Sequence, residues 1–157
     1  MVIKGATMED FSNYRKPSMF IAFPKCCFKC DVECGLQVCQ NGALAKATNI
    51  DIDVDKIVKK YLDNPITKAV VCGGLEPFDS WSDLLSFVEK FREKSHDDIV
   101  IYTGYNKEEI DDKINILRRF PNIIVKFGRF IPGHEKHYDE ILGIELASKN
   151  QYAEAIS

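Results

Sequence analysis

Short apolar runs alternate with longer amphipathic stretches along this chain. Ser18–Phe23 is an apolar run of strand length, and Lys68–Cys72, Asp98–Tyr102 and Asn122–Phe127 repeat that pattern. Between the runs, apolar residues recur at helical spacing. Val54, Ile57, Val58, Tyr61 and Leu62 follow Asp53. Trp81, Leu84, Leu85, Val88 and Phe91 follow Ser80 and predict a helix to about Lys94, and Ile110, Ile114 and Leu117 lie within Lys107–Arg119. Asp53 and Ser80 are expected N-caps, because a short polar side chain can accept the free amide hydrogens of a first helical turn. Asn64-Pro65 and Pro121 end their helices, since proline cannot continue the hydrogen-bond ladder. Asn41–Ala47 predicts one short helical turn, and His137–Leu142 a last helix.

This is a β-loop-α unit repeated about four times. Repeated units of this kind give a mostly parallel sheet with right-handed crossovers. The expected fold class is α/β, and one domain over residues 1–157 is expected, since the chain has no internal repeat and no linker-like stretch. Ligands of such sheets bind at the carboxyl ends of the strands. Three loops should therefore share one edge: the cysteine-rich loop after Phe23, Gly73-Gly74-Leu75-Glu76-Pro77, and Thr103-Gly104-Tyr105-Asn106.

Composition narrows the function. Lys plus Arg is 21 and Asp plus Glu is 24, a net charge of −3 with no basic stripe. That argues against nucleic acid as the partner. The longest apolar runs, such as Met19–Phe23, fall far short of the ~18 residues of a membrane span. The first residues lack the apolar core of a secretory signal, so a cytoplasmic location without membrane attachment is expected.

The cysteines change the picture most. Five of six, Cys26, Cys27, Cys30, Cys34 and Cys39, fall within 14 residues, and Cys72 stands alone. Disulfides close loops and so spread along a chain, whereas a metal centre gathers thiols into one loop. In the reducing cytosol clustered thiols more often bind metal. Structural zinc favours two separated C-x2-C pairs, and no second pair exists here. A [4Fe–4S] cluster held by three cysteines leaves one iron open to a ligand. A zinc-stabilised binding module remains the non-enzyme alternative. Cys72 ends an apolar strand and reads as a small buried hydrophobe. His134 and His137 follow Pro132-Gly133 and read as loop residues rather than ligands.

Cys26-Cys-Phe-Lys-Cys30 resembles the first half of the C-x3-C-x2-C signature of radical S-adenosylmethionine (SAM) enzymes, and Cys39-Gln-Asn41 resembles its end. The departure lies between them, where eight residues, Asp31–Val38, replace the usual two. The resemblance implies Cys26, Cys30 and Cys39 as ligands of a [4Fe–4S] cluster, with Cys34 as the rival third ligand and Cys27 as a bystander. The Gly73–Pro77 loop resembles the family's GGEP motif, with Leu75 inserted or substituted. It implies SAM contacts from Gly73, Gly74 and Glu76, joined by Phe28 in the cluster loop and Thr103 in the third loop.

The chain's length, Ile101–Tyr105, Met8–Asn13 and Leu146–Gln151 are similar to the small activating enzymes of anaerobic (class III) ribonucleotide reductase. Their fold is a partial βα barrel. Where they often carry Asp-Gly after the fourth strand, this chain has Lys126-Phe127-Gly128. The resemblance implies formation of a 5′-deoxyadenosyl radical and hydrogen abstraction from a glycine of a glycyl radical enzyme, the large subunit of the anaerobic reductase, with an electron donor such as flavodoxin. The alternative within the same chemistry is a radical SAM enzyme acting on a small molecule, similar to a deazaguanine synthase.

Overall fold

Two short strands, β1 (Val2–Ile3) and β2 (Gly5–Asp10), precede β3 (Ser18–Phe23). The cysteine-rich segment then carries α1 (Lys29–Cys34) and α2 (Gly42–Ala45), and β4 (Ile50–Asp51) pairs with β1. Three βα units follow: α3 (Val54–Asp63) with β5 (Ala69–Gly74), α4 (Trp81–Arg92) with β6 (Asp98–Tyr102), and α5 (Asp111–Leu117) with β7 (Ile123–Phe127). The chain closes with β8 (His137–Asp139), β9 (Ile144–Leu146) and β10 (Tyr152–Ala155). This computed structural model describes residues 1–157.

The four apolar runs lie side by side. The main sheet has six strands in the order β10-β7-β6-β5-β3-β2; β3, β5, β6 and β7 are parallel, and both outer strands are antiparallel. The α/β class with a largely parallel sheet is what the sequence pattern predicts. The sheet ends on two antiparallel edges and does not close into a barrel. No helix is long and apolar enough to cross a membrane.

Strand side chains alternate between faces, and the buried residues sort accordingly. Met19, Ile21, Val70, Cys72, Ile99, Ile101, Ile123 and Val125 face one core together with Ile57, Val58 and Tyr61 of α3, Leu84, Phe87, Val88 and Phe91 of α4, and Ile114 and Leu117 of α5. Each such side chain stabilises the fold by about 1.5–3 kcal/mol when fully buried. Ala69, Val71, Val100 and Ile124 face the other way, into a smaller core with Tyr14, Leu142 and Leu146. Further along this second face, toward the carboxyl ends, Phe20, Tyr102 and Lys126 line an open cavity.

Several local expectations are corrected. His137–Leu142 is not helical. The Asp139 carboxylate accepts the amides of Ile141, Leu142 and Ala153, which bends the chain into the β8–β9 hairpin and ties it to β10. Leu62 stays 47% exposed, because the buried face of α3 ends at Tyr61. Ser80 occupies the N-cap position of α4, but its hydroxyl makes no cap bond. Asp53 does cap α3, accepting from the Asp55 amide at 2.8 Å.

Candidate functional site

The parallel register of β3 and β5 continues beyond the strands. The Glu76 amide donates to the Lys25 carbonyl at 2.7 Å, and Leu75 donates to Phe23. The cysteine loop and the Gly-Gly-Leu-Glu-Pro loop thus leave the sheet as a pair. Asn41 Nδ2 donates to the Gly74 carbonyl at 2.7 Å, so the far end of the cysteine segment returns to the same place. Gly74 has φ +85°, and a Cβ there would stand 2.8 Å from the Ala22 Cα; only glycine fits.

The eight residues between Cys30 and Cys39 are a folded excursion rather than slack. α1 turns through Cys34 and stops at Gly35, whose φ of +64° suits a glycine C-cap. One Asp31 carboxylate oxygen accepts the amides of Val38 and Cys39 at 2.8 and 2.7 Å. α1 is pinned to the cavity wall by Lys29–Glu109 at 3.1 Å and by Glu33, whose carboxylate lies 2.9 Å from Arg129 Nε.

Cys26, Cys30 and Cys39 line one cavity of about 440 Å³ at the carboxyl ends of the parallel strands, and Cys34 does not line it. Cys27 also reaches the cavity wall, yet its amide donates to Asp79 at 2.9 Å and its thiol lies 3.6 Å from the Tyr105 hydroxyl. Burial pushes the Cys26 thiol up to about 12 and raises that of Cys30 as well. Such thiols ionise when a metal replaces the proton, so cluster assembly here would release protons. No three His, Cys, Asp or Glu side chains converge on a point that would hold a single ion. The three thiols Cys26, Cys30 and Cys39 in the cavity lining match in number the three cysteines that would hold a [4Fe–4S] cluster with one iron left open.

The remaining predicted residues separate into two groups. Glu76 and Gly74 line the cavity with Thr103 and Gly104. Glu76 is only 5% exposed. Its Oε1 accepts the Phe78 amide at 3.1 Å and caps the 3-10 turn Pro77–Ser80, while Oε2 accepts the Gly104 amide at 2.9 Å. Burial raises its carboxyl to about 7, although those amides pull the other way. Gly73 and Phe28 stand back from the cavity. The Phe20 ring lies where a Gly73 Cβ would come within 3.1 Å of it, so Gly73 makes room for an aromatic ring. Phe28 sits at φ 52°, which turns the loop so that its amide donates to Cys26 Sγ at 3.2 Å. His134 and His137 also lie outside the cavity lining.

Residues 17–152 match the 4Fe-4S single cluster domain. The chain belongs to that family. The match runs from the entry of β3 to the start of β10, and it takes in every thiol and loop just described. A 4Fe–4S cluster domain of a type associated with radical SAM proteins is therefore present, and the zinc-module alternative loses its footing. Searches of curated proteins and of solved structures found no match.

The family domain also incorporates residues that patterning did not single out. Lys126 is 7% exposed and lines the cavity. Arg129 is 5% exposed and forms a bidentate pair with Glu109 at 2.7 Å for both bonds. Gly128–Ile131 is held by the chain's last loop: Gln151 Nε2 donates to the Gly128 carbonyl, Asn150 Nδ2 to the Arg129 carbonyl, and Ser148 bonds both ways with Ile131. The Leu146–Gln151 segment is thereby a brace for the cavity wall. The sequence signal for Lys126 was present, as a charged residue inside an otherwise apolar strand.

Proposed function

We propose that this chain is a radical SAM activating enzyme that takes a hydrogen atom from a glycine of a partner glycyl radical enzyme, most closely the large subunit of anaerobic ribonucleoside-triphosphate reductase. The observation that carries the reading is the convergence of Cys26, Cys30 and Cys39 with Gly74 and Glu76 on one cavity, through the Asn41–Gly74 and Glu76–Lys25 bonds. When bound, a reduced [4Fe–4S] cluster and SAM would supply the electron and the sulfonium from which the 5′-deoxyadenosyl radical derives.

In this reading the three thiols hold the cluster, and Cys34 and Cys27 do not. Asp31 returns Cys39 to the cavity. Glu76, fixed by two backbone amides, presents a carboxylate for an ammonium group, and the Gly74 and Gly104 backbones permit close approach. The 23-residue core behind the sheet keeps these loops on a rigid base, which holds the reacting groups in register. A partial-barrel curvature belongs to the same proposal, as do a cytoplasmic location and a flavodoxin-type electron donor. The cavity lies at the carboxyl ends of the parallel strands, bordered by the β2–β3 loop, the cysteine segment, the β8–β9 hairpin and the last loop, and a protein loop is the substrate this reading assigns to it. A second reading, a small-molecule substrate, is favoured by the buried Lys126.

The experiment is anaerobic reconstitution followed by SAM and dithionite, with and without the anaerobic reductase large subunit. The expected result is 5′-deoxyadenosine formed with the partner and a glycyl doublet in its paramagnetic resonance spectrum. Turnover of a small molecule with no protein partner would overturn the activase reading.

A further inference from the structure

Lys126 is placed where a lysine is costly. It lies on the last residue pair of the β6–β7 register, opposite Tyr102, on the face that lines the cavity. Its ammonium has three protons to donate. It gives one hydrogen bond, to the Gly128 carbonyl at 3.2 Å, an acceptor it shares with Gln151 Nε2. The Tyr102 ring centroid lies 5.8 Å away. No carboxylate comes within ion-pair distance: the ten ion pairs of the fold leave Lys126 out, and the neighbouring Arg129 is taken by Glu109 and Glu33. Glu76 and Cys30 act on it only through space. A buried charge without a paired, hydrogen-bonded counterion is unfavourable. Burial accordingly lowers the ammonium to about 8.

An apolar side chain would serve a purely structural position on β7 better. We propose that Lys126 is the anion anchor of the cavity and takes a carboxylate of the ligand that binds there. That carboxylate is either the methionyl carboxylate of SAM or one carried by the second reactant. The inference rests on the reading of the cavity as a cofactor and substrate site. It adds a recognition element on the strand itself, separate from the loops, that the thiol and glycine motifs do not contain. An ammonium and a carboxylate brought together away from water make one of the stronger hydrogen bonds available to a protein.

The test uses the anaerobically reconstituted protein, wild type and Lys126→Met, with Lys126→Gln as the substitute where Met does not fold. One arm titrates SAM and decarboxylated SAM. The other follows melting temperature against acetate, with and without saturating SAM, at fixed ionic strength. If the anion is SAM's, wild type binds SAM at least tenfold tighter than decarboxylated SAM, and Lys126→Met loses that preference. If it belongs to the second reactant, SAM binding is unchanged, while acetate raises the melting temperature of wild type and not of the variant. Lys126→Arg, which keeps the charge, should retain part of either effect. Equal behaviour of wild type and Lys126→Met in both arms overturns the proposal, even where the variant shifts the cluster's reduction potential. Should wild type bind no SAM at all, the SAM reading fails, and the acetate arm without SAM still decides the role of Lys126.

Discussion

Asp31 and Cys39 are eight residues apart and joined by a hydrogen bond of 2.7 Å from the Cys39 amide to the Asp31 carboxylate. The same oxygen takes the Val38 amide. Hydrogen bonds to a charged acceptor contribute about 1.5–3 kcal/mol each. Together they close an excursion that carries Val32 and Leu36 out to 75% and 70% exposure. Asp31→Ala should keep the sheet folded but lower the melting temperature, and reduce iron and sulfide per chain at least twofold after anaerobic reconstitution below that temperature. Full occupancy in that variant would show that Cys39 finds its place without Asp31.

The proposed ligand set draws on the same loop. Cys34 ends α1 outside the cavity lining, whereas Cys26, Cys30 and Cys39 lie within it. Replacing any of these three by alanine should abolish the brown colour and the reduced-cluster resonance. Cys34→Ala and Cys27→Ala should retain both. A colourless Cys34→Ala protein beside an intact Cys39→Ala protein would exchange the roles of the two thiols.

The parts of this arrangement that were legible in the sequence are those governed by local periodicity. The four apolar runs could pack only as parallel inner strands, and Asp53 capped its helix as its side-chain chemistry requires. The thiol cluster was legible because its spacing has few other uses. What escaped depended on distant partners. β2 and β10 are polar, half-exposed edge strands, and only pairing with β3 and β7 makes them strands. His137–Leu142 had the composition of a helical turn, but Asp139 found three amides from two segments. Gly73 sat in a motif, and the space it leaves is taken by Phe20, which no spacing rule announces.

Gly74 is the residue on which the paired loops turn. Its φ of +85° is strained for any side chain, and a Cβ would meet the Ala22 backbone at 2.8 Å rather than a movable side chain. Gly74→Ala should cost about 2 kcal/mol or more, from backbone strain and overpacking. Urea denaturation measures it. Gly5→Ala is the control, since nothing lies within 4 Å of its Cβ position and its φ is not positive. Equal stability of the two variants would show that the Ala22–Gly74 approach relaxes freely.

Acid should loosen the cavity wall through Glu109. This carboxylate binds Arg129 in a bidentate pair, holds Lys29 of α1 and accepts the Asn106 amide. The Arg129 hydrogen bonds, first among these contacts, depress its carboxyl from 4.5 to about 2. The folded state therefore binds the Glu109 proton less readily than the unfolded chain. The stability it contributes is fully present above the unfolded value of 4.5 and is lost as pH falls from there through about 2. Because the side chain is 30% exposed, salt should weaken the effect. Glu109→Gln should lower stability at pH 7 and flatten its decline between pH 5 and pH 3, measured by urea denaturation at each pH. Arg129 would then lose its main anchor while its loop stayed tied to Asn150 and Gln151. The variant should thus keep its fold and show faster amide exchange over Gly128–Phe130. An unchanged acid slope in Glu109→Gln would place the acid sensitivity in another carboxylate.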